Sequence, residues 1–353
     1  MRKTILALGM ACLAIFSACE KDENAQQQNG SATDTDSPYK YMYILNEGLW
    51  GANDASLDRL VFATGELEKD VFASANSRNL GDVANDMVIY GSKMYILLNQ
   101  SNTIEVVSPA TAKSEKTISL AGKSPRKMTG HGGFLYVSCH SDEIVKIDTT
   151  TLSVTGSCNV GRDPESMCII GSSLFVANSG GLDYPNYDTT ISIVDLTSFQ
   201  EVKKVGIGLN PSLVAPIGNG KIMVLCNGNY SDIPSSLSVF DISDESVTKL
   251  NYQTSKFFIM GNTAYCYDFD WGTYQAVFFK INLNTFEKES LTLNGSSSIA
   301  SPYEISVNPS NGDIYVADSQ NSSSNGDILC FSKEGKLKWK KECGSVPSKV
   351  VLH

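Results

Sequence analysis

The stretch that decides the fold is PESMCIIGSSLFVAN, from Pro164 to Asn178. It begins with a proline and an apolar run, and it ends in the pattern apolar, aromatic, apolar, small, Asn. Short apolar runs that end in turn-forming residues are typical of buried β-strands. We therefore interpret this stretch as two consecutive strands, here named A (after the proline) and B (the aromatic pattern).

The B pattern recurs along the chain, with Asn, Asp or Cys at its end. Aligned on the first residue of each copy, the spacings are 52, 41, 39, 48, 42 and 50 residues. The copies are Tyr43-Ile44-Leu45-Asn46, Tyr95-Ile96-Leu97-Leu98-Asn99, Tyr136-Val137-Ser138-Cys139, Phe175-Val176-Ala177-Asn178, Met223-Val224-Leu225-Cys226-Asn227, Tyr265-Cys266-Tyr267-Asp268 and Tyr315-Val316-Ala317-Asp318. Periods of about 40–50 residues are typical of the blades of a β-propeller.

Each unit predicts four strands, because an alternating strand (C) and a further strand (D) follow the B pattern, as in Thr190–Asp195 and Ser153–Val160. No helical period is evident. The first unit lacks an A strand, and Val346–Val351 near the C-terminus supplies one. The sequence thus predicts an all-β, seven-bladed propeller with four-stranded antiparallel blades, closed by the C-terminal strand joining the N-terminal blade. The alternative is an open β-sandwich array.

The N-terminus has the pattern of a lipoprotein signal peptide over residues 1–18. Arg2 and Lys3 precede the apolar run Thr4–Ser17, which is too short to span a bilayer. Ser17 and Ala18 then precede Cys19, in a pattern that resembles a lipobox and predicts lipidation of that cysteine. The alternative is an ordinary cleavage site with an incidental cysteine.

Residues 19–38 are polar and predict a lipidated flexible tether, which places the propeller at 39–353. Lys21, Asp22 and Glu23 resemble the export signal that sends some lipoproteins to the outer face of the outer membrane. We therefore expect the protein in the outer membrane, held by its lipid anchor alone and facing outward. The other interpretation of these charges is a solvated run at the start of a tether.

Composition narrows the possible functions. The 353-residue chain has a formal net charge of −10, which argues against a nucleic-acid partner. Beyond Cys19 there are seven cysteines but no CxxC pair or Cys/His cluster, so we expect no metal site of that type. We also expect Cys330 and Cys343 to stay unpaired, although they could face each other across a hairpin.

The B–C and D–A loops of a propeller open on one face, and here that face is predicted to carry the ligand site. The B–C loops are long in blades 4 to 7 and 1, and short in blades 2 and 3. Loop aromatic rings offer flat surfaces for stacking, and each ring can alternatively fold onto its own blade. The candidate ligand-binding residues are Asn46, Trp50, Arg126, Arg162, Asn178, Tyr184, Tyr187, Asn227, Tyr230, Asp268, Trp271, Tyr274 and Tyr303, with Arg126, Arg162 and Tyr303 assigned to D–A loops.

Three segments carry a family resemblance: NEGLWGANDASL (46–57), LGDVANDMVIYGSKMYILLNQSNTIEVV (80–107) and ISVNPSNGDIYVAD (305–318). They resemble segments of the YncE-like (YVTN-type) seven-bladed surface lipoproteins of gut anaerobes, which include the BtuG-type cobalamin-capture proteins. The resemblance implies a corrinoid ligand, such as vitamin B12, on the loop face. It also implies a TonB-dependent outer-membrane transporter as partner.

Two other functions remain open at this point. An accessory glycan- or protein-binding module would use the same aromatic rings. A propeller lactonase would need convergent carboxylates or histidines at the channel, and the three histidines have no partner motif. Asp268-Phe269-Asp270 is interpreted as a solvated loop rather than a calcium site. We expect a non-enzymatic protein without a cofactor.

Overall fold

The repeat predicted from sequence forms a closed ring of seven sheets. A computed structural model describes residues 31–296 and 299–353, and within these ranges the chain forms seven four-stranded antiparallel sheets. In each sheet the A strand is innermost and the D strand outermost, and the A strand of every blade contacts those of both neighbouring blades. The predicted fold class is confirmed.

The strands, given from A to D, have the following bounds. Blade 1 contains β28 (Pro347–Leu352), β1 (Tyr41–Asn46), β2 (Ser56–Val61) and β3 (Glu66–Glu68). Blade 2 contains β4 (Ala84–Tyr90), β5 (Lys93–Leu98), β6 (Thr103–Val107) and β7 (Ser114–Ser119). Blade 3 contains β8 (Pro125–His131), β9 (Phe134–Cys139), β10 (Glu143–Asp148) and β11 (Ser153–Asn159). Blade 4 contains β12 (Pro164–Ile170), β13 (Ser173–Asn178), β14 (Thr190–Asp195) and β15 (Gln200–Gly206). Blade 5 contains β16 (Pro211–Gly218), β17 (Lys221–Cys226), β18 (Ser236–Asp241) and β19 (Val247–Leu250). Blade 6 contains β20 (Lys256–Met260), β21 (Thr263–Asp270), β22 (Gln275–Asn282) and β23 (Lys288–Ser290). Blade 7 contains β24 (Pro302–Val307), β25 (Ile314–Asp318), β26 (Asn325–Phe331) and β27 (Leu337–Ser345).

The C-terminal strand closes the ring, as predicted. β28 pairs antiparallel with β1, with Val350 opposite Ile44 and Val351 opposite Tyr43. Blade 1 is therefore built from both ends of the chain. Pairing of this kind covers the edge of β1, which would otherwise offer unpaired N–H and C=O groups to another chain.

The core is divided between the blades. In the described chain the buried apolar residues form seven clusters, one between each pair of neighbouring blades. The cluster between blades 1 and 2, for example, packs Tyr43 and Leu45 against Met87 and Ile96. Full burial of such a side chain contributes about 1.5–3 kcal/mol. Each blade is therefore stabilised on both of its faces by its neighbours.

A bulge at the start of the A strands shapes the channel. The register between A and B strands shifts next to the first residue in blades 1, 2, 3, 4, 5 and 7. Such a shift leaves a residue out of the ladder and redirects its side chain. Arg126 and Tyr303 occupy these positions, so they lie in strands β8 and β24 and not in D–A loops as predicted.

Two local features differ from the sequence-based expectations. A six-residue helix, α1 (Val71–Asn76), follows β3, with its N-terminus capped by Asp70 and Phe72 buried. In blade 6 the B–C loop is shorter than the predicted range 268–276, because β21 extends to Asp270 and β22 begins at Gln275. A single helical turn and an extended hairpin leave no clear periodic signal in the sequence.

The chain contacts the propeller before the predicted start of the domain at Tyr39. Ala32 is buried against blades 7 and 1, and the Asp34 amide donates to the Phe62 carbonyl (2.8 Å). The segment before Tyr39 thus contacts the propeller at Ala32 and Asp34, while most of its residues stay exposed or half-buried. The small side chain of Ala32 can enter an apolar cluster without a long hydrophobic run to signal it. The signal peptide, Cys19, Lys21, Asp22 and Glu23 lie outside the described residues.

The cysteines that the structure describes all lie in strands, and they are unpaired and buried. Cys330 lies opposite Trp339 in the β26–β27 ladder, so it does not face Cys343. Within the described ranges, no helix combines the length and the apolar character needed to cross a membrane.

Candidate functional site

The loop face holds a cavity of about 380 Å³ near the mouth of the channel. Its walls come from blades 7, 1, 2 and 3, and the short B–C loops of blades 2 and 3 leave the face low on that side. Three candidate residues, Trp50, Arg126 and Tyr303, line it. The remaining lining residues are Glu47, Gly48, Leu49, Val83, Asn99, Ser322 and Val346.

Glu47 connects the polar side of this cavity. Its Oε1 accepts a hydrogen bond from Asn85 Nδ2 (2.5 Å), and its Oε2 accepts one from the Tyr303 hydroxyl (3.0 Å). Asn85 in turn accepts from Arg126 Nη1 (2.7 Å) through its Oδ1. Burial, and next the negative charge of Glu47, raise the pKa of Tyr303, so this phenol stays a donor.

Arg126 is held from the other side by Glu165 of blade 4. Arg126 Nε and Nη2 donate to the Glu165 carboxylate at 3.1 and 3.2 Å, and His140 Nε2 lies 3.1 Å from Glu165 Oε1. Burial opposes ionisation of Glu165, yet the charge of Arg126 and the His140 contact lower its pKa to about 2. The same pairing outweighs burial and raises the pKa of Arg126. Both groups are therefore charged at neutral pH.

The next layer of the channel is also charged and paired. Lys349 lies 3.2 Å from Asp86, and Lys256 lies 2.6 Å from Glu304. Lys127 donates to the Asn85 carbonyl (2.7 Å). Burial lowers the pKa of Lys127, and the nearby charge of Asp86 opposes that effect. These contacts join blades 1, 2, 3, 6 and 7 around the axis.

A second group of candidate residues forms an aromatic cluster over blades 4 and 5. Tyr187 is 9% exposed and stands edge-on to Tyr184 and Tyr230, at centroid distances of 6.0 and 6.3 Å. Tyr184 and Tyr230 are each 73% exposed. Tyr187 is thus the covered support of two rings that face solvent.

Blade 6 carries a third group. Trp271 and Tyr274 are 67% and 66% exposed, and both meet Phe269 edge-on. Trp50, on blade 1, is 76% exposed. Trp271 and Tyr274 thus contact Phe269 of their own blade and still present most of their surface to solvent.

The other candidate residues hold the loops and strand ends. Arg162 pairs with Asp183 and donates to the Asn186 carbonyl (2.7 Å), which fixes the long blade-4 loop. Asn46 and Asn178 are fully buried. Their Nδ2 groups donate to hydroxyl groups of their own C strands. These residues therefore lie beneath the loop face and do not form its surface.

Asn227 directly follows strand β17 and Asp268 lies within strand β21, and both are half-buried. Asn227 accepts from the Ser212 hydroxyl (3.0 Å), and Asp268 accepts from the Ser255 hydroxyl (3.4 Å). Burial raises the pKa of Asp268. Its neighbour Asp270, at the end of strand β21 and not in a solvated loop as interpreted from the sequence, accepts a hydrogen bond from the Gly272 amide (2.8 Å).

Glu47, Asn85, Glu165 and His140 were missed by sequence reasoning. A signal was present for one of them, because Glu165 follows Pro164 as Arg126 follows Pro125. Residues after the A-strand proline share one position in the ring. Aligning the A strands of the seven repeats on their prolines would therefore place Arg126 and Glu165 at the same position in adjacent blades.

Metal-ligand side chains do not converge in the part of the chain that the structure describes: no group of three or more His, Cys, Asp or Glu could hold a metal ion. His131 lies at the end of β8, on the face opposite the loops. His140 is hydrogen-bonded through Nε2 to Glu165 Oε1.

The protein is thus a seven-bladed β-propeller whose loop face carries an aromatic rim around a channel mouth lined by polar and ion-paired side chains. Over residues 40–338 the sequence matches the family described as Domain of unknown function (DUF5074), and the chain belongs to that family. A comparison with curated proteins gives no match.

Solved structures share the architecture at low sequence identity. A quinonprotein alcohol dehydrogenase-like protein from Bacteroides thetaiotaomicron is 18% identical in sequence and superposes with a TM-score of 0.64. The match covers 89% of this chain and 78% of the other chain. Hydrazine synthase of Kuenenia stuttgartiensis is 16% identical with a TM-score of 0.57, covering 71% and 77%. The computationally designed Ika8 protein is 10% identical with a TM-score of 0.56, covering 87% and 88%. At these identities the likeness concerns the fold alone.

Proposed function

We propose that this chain is a non-enzymatic surface lipoprotein that binds a bulky organic nutrient on its loop face. The nutrient we propose is a corrinoid such as cobalamin, which the protein passes to a TonB-dependent outer-membrane transporter. The corrinoid and the transporter rest on the resemblance of segments 46–57, 80–107 and 305–318 to the cobalamin-capture family. Anchoring and outward display rest on Cys19 and the charges that follow it.

The observation that carries the proposal is the exposed aromatic rim. The rim rings are Trp50, Tyr184, Tyr230, Trp271 and Tyr274, all between 66% and 76% exposed and all on B–C loops of one face. Exposed rings grouped on one side of a domain are unfavourable in water and are typical of a binding surface. They offer flat area to a ligand at a small cost in side-chain entropy.

The charged groups at the channel mouth favour binding over catalysis. Arg126 and Glu165 neutralise each other, and the pKa of Glu165 is held at about 2. A general acid or base works best with a pKa near the working pH. This carboxylate is therefore suited to positioning its neighbours and poorly suited to proton transfer.

Calorimetric titration with cyanocobalamin and with cobinamide tests the proposal. We expect binding below micromolar concentration, and a loss of about tenfold or more for Trp50→Ala and Trp271→Ala. Val202→Ala is the matched control, because Val202 is 62% exposed but lies on the outer strand β15. Its affinity should equal that of the unaltered protein.

Two results would count against the proposal. If neither corrinoid binds below micromolar concentration, the corrinoid assignment fails. If an oligosaccharide binds instead, with the same dependence on Trp271, the domain is a glycan-binding module that uses the same rim.

A further inference from the structure

The cavity beside Trp50 combines an apolar wall with one negatively and one positively charged side chain, and Asn99, Tyr303 and Ser322 add neutral polar groups. Leu49, Trp50, Val83 and Val346 supply apolar surface. The charged groups, Glu47 and Arg126, come from the B–C loop of blade 1 and from strand β8. At about 380 Å³ the cavity is near the lower end of the range for small-molecule sites. It has room for a side arm or one small ring, but not for a whole corrinoid.

Both charged groups retain hydrogen-bonding capacity. Glu47 accepts two hydrogen bonds, from Asn85 and Tyr303, and a carboxylate offers about four acceptor sites. Arg126 has five N–H donors, of which Nε, Nη1 and Nη2 each use one toward described residues. The remaining acceptor sites and donors belong to side chains that line the same cavity.

Charge and hydrogen bonding exclude two of the three ligand chemistries that could use these groups. A carboxylate or phosphate would meet the negative charge of Glu47, with Glu165 already neutralising Arg126. An ammonium group could donate to Glu47, but it has no acceptor for the free N–H groups of Arg126. A neutral group that both accepts and donates avoids the repulsion by Glu47 and satisfies both residues.

We propose that this cavity is a subsite for a neutral amide, whose carbonyl accepts from Arg126 and whose N–H donates to Glu47, with Trp50 covering its apolar part. The inference deepens the proposed function and rests on ligand binding at the loop face. An amide of this kind occurs in the side arms of a corrinoid and in the N-acetyl groups of amino sugars. These two sources share the recognition chemistry.

The test compares amide and carboxylate forms of one ligand on the unaltered protein and on Glu47→Gln. The probes are cobinamide and its derivative in which side-arm amides are hydrolysed to carboxylates. A second pair consists of an N-acetylglucosamine oligomer and a glucose oligomer of equal length. Asp232→Asn is the matched control, since Asp232 is an exposed carboxylate on the blade-5 loop of the same face.

We expect Glu47→Gln to weaken the amide ligand about tenfold, as for loss of one charge-assisted hydrogen bond. The same variant should strengthen binding of the carboxylate derivative, because the repulsion is removed. A merely structural role for Glu47 would weaken both ligands together. Asp232→Asn should leave the ratio of the two affinities unchanged.

The outcomes separate this inference from the proposed function. If cobinamide binds and Glu47→Gln shifts both forms equally or neither, the amide subsite is overturned and corrinoid capture stands. If only the N-acetylated oligomer binds, and Glu47→Gln weakens it, corrinoid capture fails and the subsite stands. If neither amide ligand binds the unaltered protein, both are overturned.

Discussion

Glu165 Oε1 lies 3.0 Å from Arg126 Nη2, although the two residues belong to neighbouring blades and occupy the same place after a strand-opening proline. The side chains are 14% and 25% exposed, so the pair is largely removed from water. Removing one partner of such a pair leaves the other charge uncompensated, which is strongly destabilising. The repeat thus places a structural ion pair at the channel mouth.

Glu165→Gln should therefore lower the free energy of unfolding by about 3 kcal/mol at pH 7. The pKa of Glu165 falls from 4.5 to about 2 on folding, so its stabilisation is fully present above pH 4.5 and is lost as the pH falls toward 2. Urea denaturation should show the difference between the two proteins reduced to about half or less by pH 3. In the control Glu245→Gln, an exposed pair with Lys203 is lost, at a cost of about 0–1 kcal/mol. An equal cost for Glu165→Gln at both pH values would contradict the assignment.

Gly161→Ala should destabilise the fold by about 1–3 kcal/mol, as for overpacking of a tight site. A Cβ atom at residue 161 would overlap the buried side chain of Asn178 in the next blade. Gly206 is the control, because a Cβ atom there meets no other atom within 4 Å. Thermal unfolding should separate the two variants, and a Gly161→Ala protein as stable as Gly206→Ala would show that the blades have room to shift.

Removing residues 347–353 should abolish the stable monomer, because it deletes the A strand of blade 1 and exposes the edge of β1. The loss is comparable to the whole free energy of unfolding, about 5–15 kcal/mol. Size-exclusion chromatography should show aggregates. A permuted chain that begins at residue 347 and joins residue 353 to residue 39 by a short turn should restore the monomer, since His353 O already accepts from the Tyr41 amide (2.8 Å). A soluble, cooperatively folding truncation would contradict closure by this strand.

The cysteine thiols in the described chain should resist modification in the native protein. Burial raises the pKa of Cys139, Cys168, Cys226 and Cys266 to about 12, so the reactive thiolate is scarce at pH 8. Reaction with a thiol reagent should proceed only after denaturant is added, and then as one cooperative step. Rapid labelling without denaturant would mean that a blade opens locally.

Sequence reasoning reached the ring and its closure because each blade repeats the same two periodic signals. The proline before the A strand and the aromatic-centred B strand are local features, so copies such as Pro164 and Phe175 are visible without the fold. The missing A strand of the first unit was found at Pro347 for the same reason.

The site was less accessible to sequence reasoning because its contacts join residues far apart in the chain. Tyr303 and Glu47 are 256 positions apart, and only ring closure brings them together. The sequence pattern also could not predict which aromatic side chains are exposed, since Tyr187 is covered while its neighbours Tyr184 and Tyr230 are not. Burial in this cluster depends on edge-to-face contacts between loops.

The path of the chain into the domain has a mechanical consequence. Residues 31–38 run past the turns at Phe62 and Asn311, which lie on the side of the ring opposite the aromatic rim. If Cys19 carries the lipid, the chain joins the domain on the side opposite the rim, and the rim would face away from the bilayer. The 12 residues from Cys19 to Ser31 span at most about 40 Å. If a transporter in the membrane takes the ligand from the rim, the whole ring would have to turn toward the membrane within that distance. Ligand release would then depend on rotation of the domain as a rigid body.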